Sequence, residues 1–150
     1  MSNILKVLEE ELRNVNEAAR VLNYSYQKCS LINLNGKITD EELESFDSLT
    51  VRFARLSDII IQKIFRIIEK ADLETPGSVR DSVYSAEKKG LIGDADTFIE
   101  IRELRNLISH EYLPEAFKDI FLKVLEFTPD LLLCLENIKK YCIAKYGIAG

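Results

Sequence analysis

Apolar residues recur three and four positions apart through almost the whole chain, and that period limits the possible folds more than any other feature. From Asn3 to about Cys29, positions such as Leu8, Leu12, Val15, Ala19 and Leu22 mark one face of a long helix. A second stripe runs to about Lys70 through Phe46, Leu49, Phe53, Leu56, Ile60 and Ile64, wide enough to face a bundle core. Between the two, Asn33, Asn35 and Gly36 tolerate turn geometry, and Thr39 followed three residues later by Glu42 has the spacing of a capping box. Thr75-Pro76-Gly77 closes the next connection, and Ser78 with Asp81 opens a short third helix that ends near Gly90.

Asp94 or Asp96 can cap a fourth helix. It ends at Leu113-Pro114, because the residue before a proline is pushed out of helical geometry. Glu115 to about Tyr146 is helical by period, with Pro129 either kinking that helix or opening a new one. No segment alternates with the period of a strand, and none repeats. The expected fold is all-α, an antiparallel bundle of about five helices.

A chain of 150 residues can bury roughly 68–70% of its unfolded surface around one core, so a single domain, 1–150, is expected. Glu9, Glu10 and Glu11 near the start are incompatible with the basic region and apolar core of a signal peptide. The longest apolar stretches, Ile59 to Ile61 and Leu131 to Leu135, fall far short of the ~20 residues needed to span a bilayer. The expectation is a cytoplasmic protein with no membrane association. Cys29, Cys134 and Cys142 lack the paired short spacing of a zinc site and read as small buried hydrophobes. Tyr24, Tyr26, Tyr84 and Tyr141 sit at helical spacings among apolar neighbours, where core or interface packing is expected ahead of base stacking.

A formal charge of −5 argues against nucleic-acid binding over the whole surface, so any such contact must be local. On the second helix, Arg52, Arg55, Lys63, Arg66 and Lys70 fall within an arc of about 80°. They form either an RNA backbone track or a solvated flank paired with acidic neighbours such as Asp58 and Glu69, and the flank is the plainer reading.

The chain has 1 His. A His-based metal cluster is therefore ruled out, no metal or cofactor is called for, and any general acid or base near neutral pH falls on His110. Helical arithmetic puts Phe98, Ile101, Leu104, Leu107 and Ile108 on the core-facing arc of the fourth helix. Asn106 and His110 lie opposite, with Arg102 and Arg105 between. Ile99 falls within about 20° of Asn106 and His110, so part of that polar face is expected to be covered. Arg105 and His110 stand about 140° apart on an ideal helix, and a second subunit on this face would help complete a shared site.

The set suits metal-independent RNA cleavage. An imidazole takes the proton of a ribose 2′-hydroxyl, which attacks the adjacent phosphorus, while the guanidinium fork binds the developing phosphorane charge. On residue chemistry alone, an Arg and a His five apart are usually surface or packing residues.

The segment Arg105-Asn106-Leu107-Ile108-Ser109-His110-Glu111-Tyr112 resembles the signature of the HEPN family in its HepT-like branch: an Arg, four residues, a His, one residue, a Tyr, with a polar residue following the Arg. Pro76-Gly77-Ser78-Val79-Arg80-Asp81 and Gly90-Leu91-Ile92 are similar to a sister branch described as nucleotidyltransferase substrate-binding proteins. The likeness covers about Pro76 to Pro114; elsewhere it extends only to helix count and length.

What the resemblance implies is an endoribonuclease toxin of a toxin–antitoxin pair, active as a homodimer on RNA, with tRNA the first candidate. Arg105 and His110 would be catalytic, with Asn106 and Tyr112 supporting. Its partner would be a minimal nucleotidyltransferase antitoxin that transfers AMP to the motif tyrosine, here Tyr112. Arg52, Arg55, Lys63, Arg66 and Arg102 are the RNA-binding candidates. The alternative is a non-catalytic substrate- or nucleotide-binding subunit of a two-component nucleotidyltransferase, and a third reading is a helical interaction subunit without a ligand.

Overall fold

The computed structural model describes residues 2–110 and 117–150, with His110 described by its backbone. The elements are α1 (Asn3–Cys29), α2 (Asp40–Asp58), a π-helical stretch (Ile59–Ile64), α3 (Phe65–Ala71), α4 (Val79–Lys88), α5 (Ala95–His110) and α6 (Phe117–Tyr146). α2, the π-helical stretch and α3 continue into one another, so the chain folds as an all-α bundle of five rods. The described residues contain no strand, and no helix among them is long and apolar enough to cross a membrane.

The helix starts lie where the polar side chains can satisfy free backbone donors. The Thr39 hydroxyl accepts from Glu42 N at 3.1 Å, and Thr39 N donates back to Glu42 Oε1 at 2.9 Å. Ser78 and Asp81 make the same reciprocal pair at α4, at 3.1 and 3.0 Å. Here Gly77 has a steric reason, since a Cβ on it would lie 2.5 Å from Asp81 Oδ2. Of the two candidates before α5, Asp94 is the cap: its carboxylate accepts from Asp96 N at 3.2 Å and from the Thr97 hydroxyl at 2.9 Å. α4 ends at Gly90, whose φ of 78° is open to glycine at little cost. Pro129 neither starts nor ends a helix, and α6 runs through it.

α1 folds back along α2, and α6 packs on both; α5 touches α2, α4 and α6, while α3 packs on α1 and α4. Phe46, Phe53, Phe65, Leu12, Leu49 and Ile64 are among the fully buried side chains at the centre, with Phe46 stacked on Phe121 at a centroid distance of 4.3 Å. All three cysteines are buried, as their spacing suggested.

The π-helical stretch has a cause in the apolar pattern. Buried positions along the rod follow a strict four-residue repeat, Phe53, Ser57, Ile61, Phe65 and Glu69 beside Leu56, Ile60, Ile64 and Ile68. An α-helix rotates such a row out of the core by about 40° per turn. The wider π turns absorb the drift and keep both rows facing inward.

One expectation for α5 is corrected and the reason for another changes. Leu107, placed on the core arc, is 41% exposed, whereas Ile99 packs partly buried against this chain's own core. Towards its start α5 buries Ala95, Phe98 and Ile101, with Ile99 partly buried beside them, so its apolar arc is wider there than at its end. Ile99 therefore no longer argues for a covering subunit. Tyr24 and Tyr84 also lie exposed, while Tyr26 and Tyr141 pack against the core.

Candidate functional site

A groove of about 1030 Å³ opens between α1 and the α2 rod, closed at one side by the end of α5. Its floor is apolar, built from Ala18, Val21, Ala54, Ile59 and Ile108. Its rim carries Arg13, Arg55, Lys63 and Arg105 against Glu11, Glu17 and Asp58. Two of the three carboxylates are engaged: both oxygens of Glu17 accept from Arg20, at 2.6 and 2.9 Å, and Asp58 binds Arg105. Arg13, Arg55 and Lys63 make no ion pair among the described residues. The groove lining thus carries four cations against three carboxylates, a small positive excess in a protein whose net charge is −5. A smaller hollow of about 560 Å³ between α1 and the start of α2 carries Glu41, Glu42 and Glu44 beside Lys28 and Arg52 and is poorly suited to anions.

Arg105 is the most constrained cation in the groove. Its Nε donates to Asp58 Oδ1 at 2.7 Å and its Nη2 to Asp58 Oδ2 at 2.9 Å, a two-pronged pair, while Nη1 donates to the hydroxyl of Ser109 one turn later on α5. The hydrogen bonds to Asp58, aided by its charge and opposed by partial burial, raise the guanidinium above its usual pKa.

The π-helical stretch helps assemble the rim. Val51, Arg55, Ile59 and Lys63 all line the groove at four-residue spacing, which an unbroken α-helix would turn progressively away.

The other sequence candidates divide. α5 reaches His110 directly after Ile108 and Ser109, both groove residues, but the His110 side chain and Tyr112 lie outside the described residues. Asn106 is exposed and is not part of the groove lining. Arg102 is half-buried, with its Nε buried and without a hydrogen-bond partner among the described residues.

The basic track along the second helix does not form as one strip. Arg52 turns to α1 and donates to the Ser25 hydroxyl at 2.7 Å and to Val21 O at 3.3 Å, and Arg66 donates to Gly77 O at 3.0 Å. Arg55 and Lys63 alone of the five enter the groove. The ideal-helix arc fails here because it ignores both the π-helical phase shift and the carbonyls within reach of a long guanidinium.

Arg13, Asp58 and Ser109 belong to the site and were not singled out as site residues from sequence. Ser109 lies four residues after Arg105 and was within reach of i,i+4 reasoning; the other two come from separate helices. No family model matches the chain, and no curated protein matches it.

Proposed function

We propose that the protein is a metal-independent endoribonuclease toxin, HepT-like within the HEPN family, neutralised by a minimal nucleotidyltransferase. The observation that carries this reading is Arg105 on the rim of a groove with three cations that make no ion pair among the described residues, next to the chain segment that leads into His110. RNA lies with its backbone along Arg13, Arg55 and Lys63. His110 removes the 2′-hydroxyl proton, the 2′ oxygen attacks phosphorus, and the bond to the 5′ oxygen breaks as that oxygen takes a proton from the imidazolium. Arg105 offers N–H groups to the charge that develops on the phosphorane. The about 140° between Arg105 and His110 on an ideal helix is resolved in a homodimer that shares one cleft between two subunits. AMP transferred to Tyr112 by the antitoxin would add bulk and negative charge beside that cleft and oppose RNA entry.

The Asp58 pair also supports the second reading, a nucleotide-binding subunit of a two-component nucleotidyltransferase, in which the fixed Arg105 grips a phosphate without chemistry.

Incubation of the partner-free protein with total tRNA in EDTA separates the two. The ribonuclease reading predicts fragments ending in a 2′,3′-cyclic phosphate and no cut where the preceding nucleotide is 2′-deoxy. A need for a divalent metal or fragments ending in a 3′-hydroxyl would contradict it; binding without any cleavage would leave the nucleotide-binding subunit.

A further inference from the structure

We infer that Asp58 is the positioning residue for Arg105, fixing its guanidinium in the groove before any phosphate arrives; the kinetic part of this inference rests on the ribonuclease reading.

The choice of partner is the first argument. Arg55 stands three residues from Asp58 on the same helix and lines the same groove, which makes it the local partner that helical geometry favours. Asp58 instead commits both carboxylate oxygens to Arg105, 47 residues away on another rod. The second argument is energetic. The two side chains are 27% and 41% exposed, a setting in which an ion pair adds little to stability because solvent screens it. The pair therefore does little for the fold as a whole and much for the orientation of one side chain.

The third argument concerns what remains free. A guanidinium carries five N–H groups. With Nε and Nη2 on Asp58 and Nη1 on Ser109, one N–H on each terminal nitrogen has no partner among the described residues and can be offered to a phosphate oxygen. Finally, Asp58 is the last α-helical residue before the π-helical stretch Ile59–Ile64, whose wider turn is seen in the bond from Phe65 N–H to Ile60 O, five residues back. The widening of the helix thus begins directly at the residue that reaches across to α5, and π-helical insertions are frequent at functional positions.

The test uses the full chain in two measurements. In nitrogen-15 NMR, the Arg105 Nε–H resonance, assigned by its loss in Arg105→Ala, is expected to exchange slowly with water in the wild type and to vanish into fast exchange in Asp58→Ala. An equally protected resonance in Asp58→Ala would overturn the positioning role whether or not the protein cuts RNA.

In cleavage assays, Asp58→Ala is expected to lower kcat about 10- to 100-fold, the cost of a misplaced reacting group. KM should stay within about twofold of wild type by the same reasoning. Asp58→Glu, which can re-form the two-pronged pair, should recover part of the rate. Unchanged kcat alongside a lower melting temperature would make the pair a structural tie, and a rise in kcat would make Asp58 an occluding group; either result overturns the inference. A wild type that cuts no RNA counts against the ribonuclease reading alone, because the NMR result still decides whether Asp58 orders Arg105.

Discussion

Leu73 follows α3 with φ at 63°, the one non-glycine residue with positive φ among the described residues, and is 94% exposed. The hydrogen bond from Glu74 N to Glu69 O completes the helix-end motif that glycine usually fills. A Cβ in this conformation costs on the order of 1 kcal/mol, and the exposed side chain returns little by packing. Leu73→Gly is therefore expected to stabilise the protein by about 0.5–1 kcal/mol, net of the extra freedom glycine gives the unfolded chain. Denaturant melts of the two proteins check this, and a loss of stability would mean that Leu73 makes a contact elsewhere. Arg105 shows the opposite balance: its side chain is constrained by a partner on another rod. The resemblance carried by the segment from Arg105 to Tyr112 marked Arg105 as a candidate site residue, but its pairing with Asp58 could be seen only once two distant helices were packed together.

The helix starts depend on reciprocal caps at Thr39 and Ser78. Thr39→Ala and Ser78→Ala should each cost about 1 kcal/mol, measured by thermal melts, and an additive loss in the double variant would be expected from two separate sites. These caps were legible because a capping box is local, involving residues three apart. The number of rods followed from the period of the apolar stripes for the same reason. The π-helical stretch escaped notice, although the four-residue repeats Leu56, Ile60, Ile64, Ile68 and Phe53, Ser57, Ile61, Phe65 encode it, since helical arithmetic assumed a fixed 3.6 residues per turn. That assumption also drew Arg52, Arg55, Lys63, Arg66 and Lys70 into one basic strip, of which Arg55 and Lys63 enter the groove while Arg52 and Arg66 are tied to other segments. Leu107 and Ile99 changed places for a different reason: their burial depends on which rods surround α5, and the period of one helix carries no such information.

Across the whole molecule, the ends of three rods converge on Asp72, whose side chain is 4% exposed. It accepts from the Tyr141 and Tyr146 hydroxyls at 2.5 Å each and pairs with Lys89 and Lys145 at 3.2 and 3.1 Å. Burial disfavours its charge, but the hydrogen bonds from Tyr141, Tyr146, Lys145 and Lys89 together outweigh it and hold the pKa at about 2. A carboxyl with a depressed folded-state pKa contributes stability that is complete above its unfolded value and is lost as pH falls from about 4 to about 2, here on the order of 2–3 kcal/mol. Melting temperatures followed through that window should fall more steeply for wild type than for Asp72→Asn, with the gap narrowing towards acid. Parallel curves would show that Asp72 is not the group being titrated.

α1, the α2 rod and α5 together gather Arg13, Arg55, Lys63 and Arg105 into one groove in a chain with a net charge of −5, and the proposed RNA path follows those cations. The chemistry proposed for that groove requires a general base at His110, and its loss bears on the proposal most directly. Partner-free wild type and His110→Ala, each free of contaminating nuclease, are to be compared for the rate of tRNA cleavage in EDTA. The expected result is a fall of about 10²- to 10⁴-fold with the melting temperature nearly unchanged; cleavage by His110→Ala at the wild-type rate would contradict the assignment.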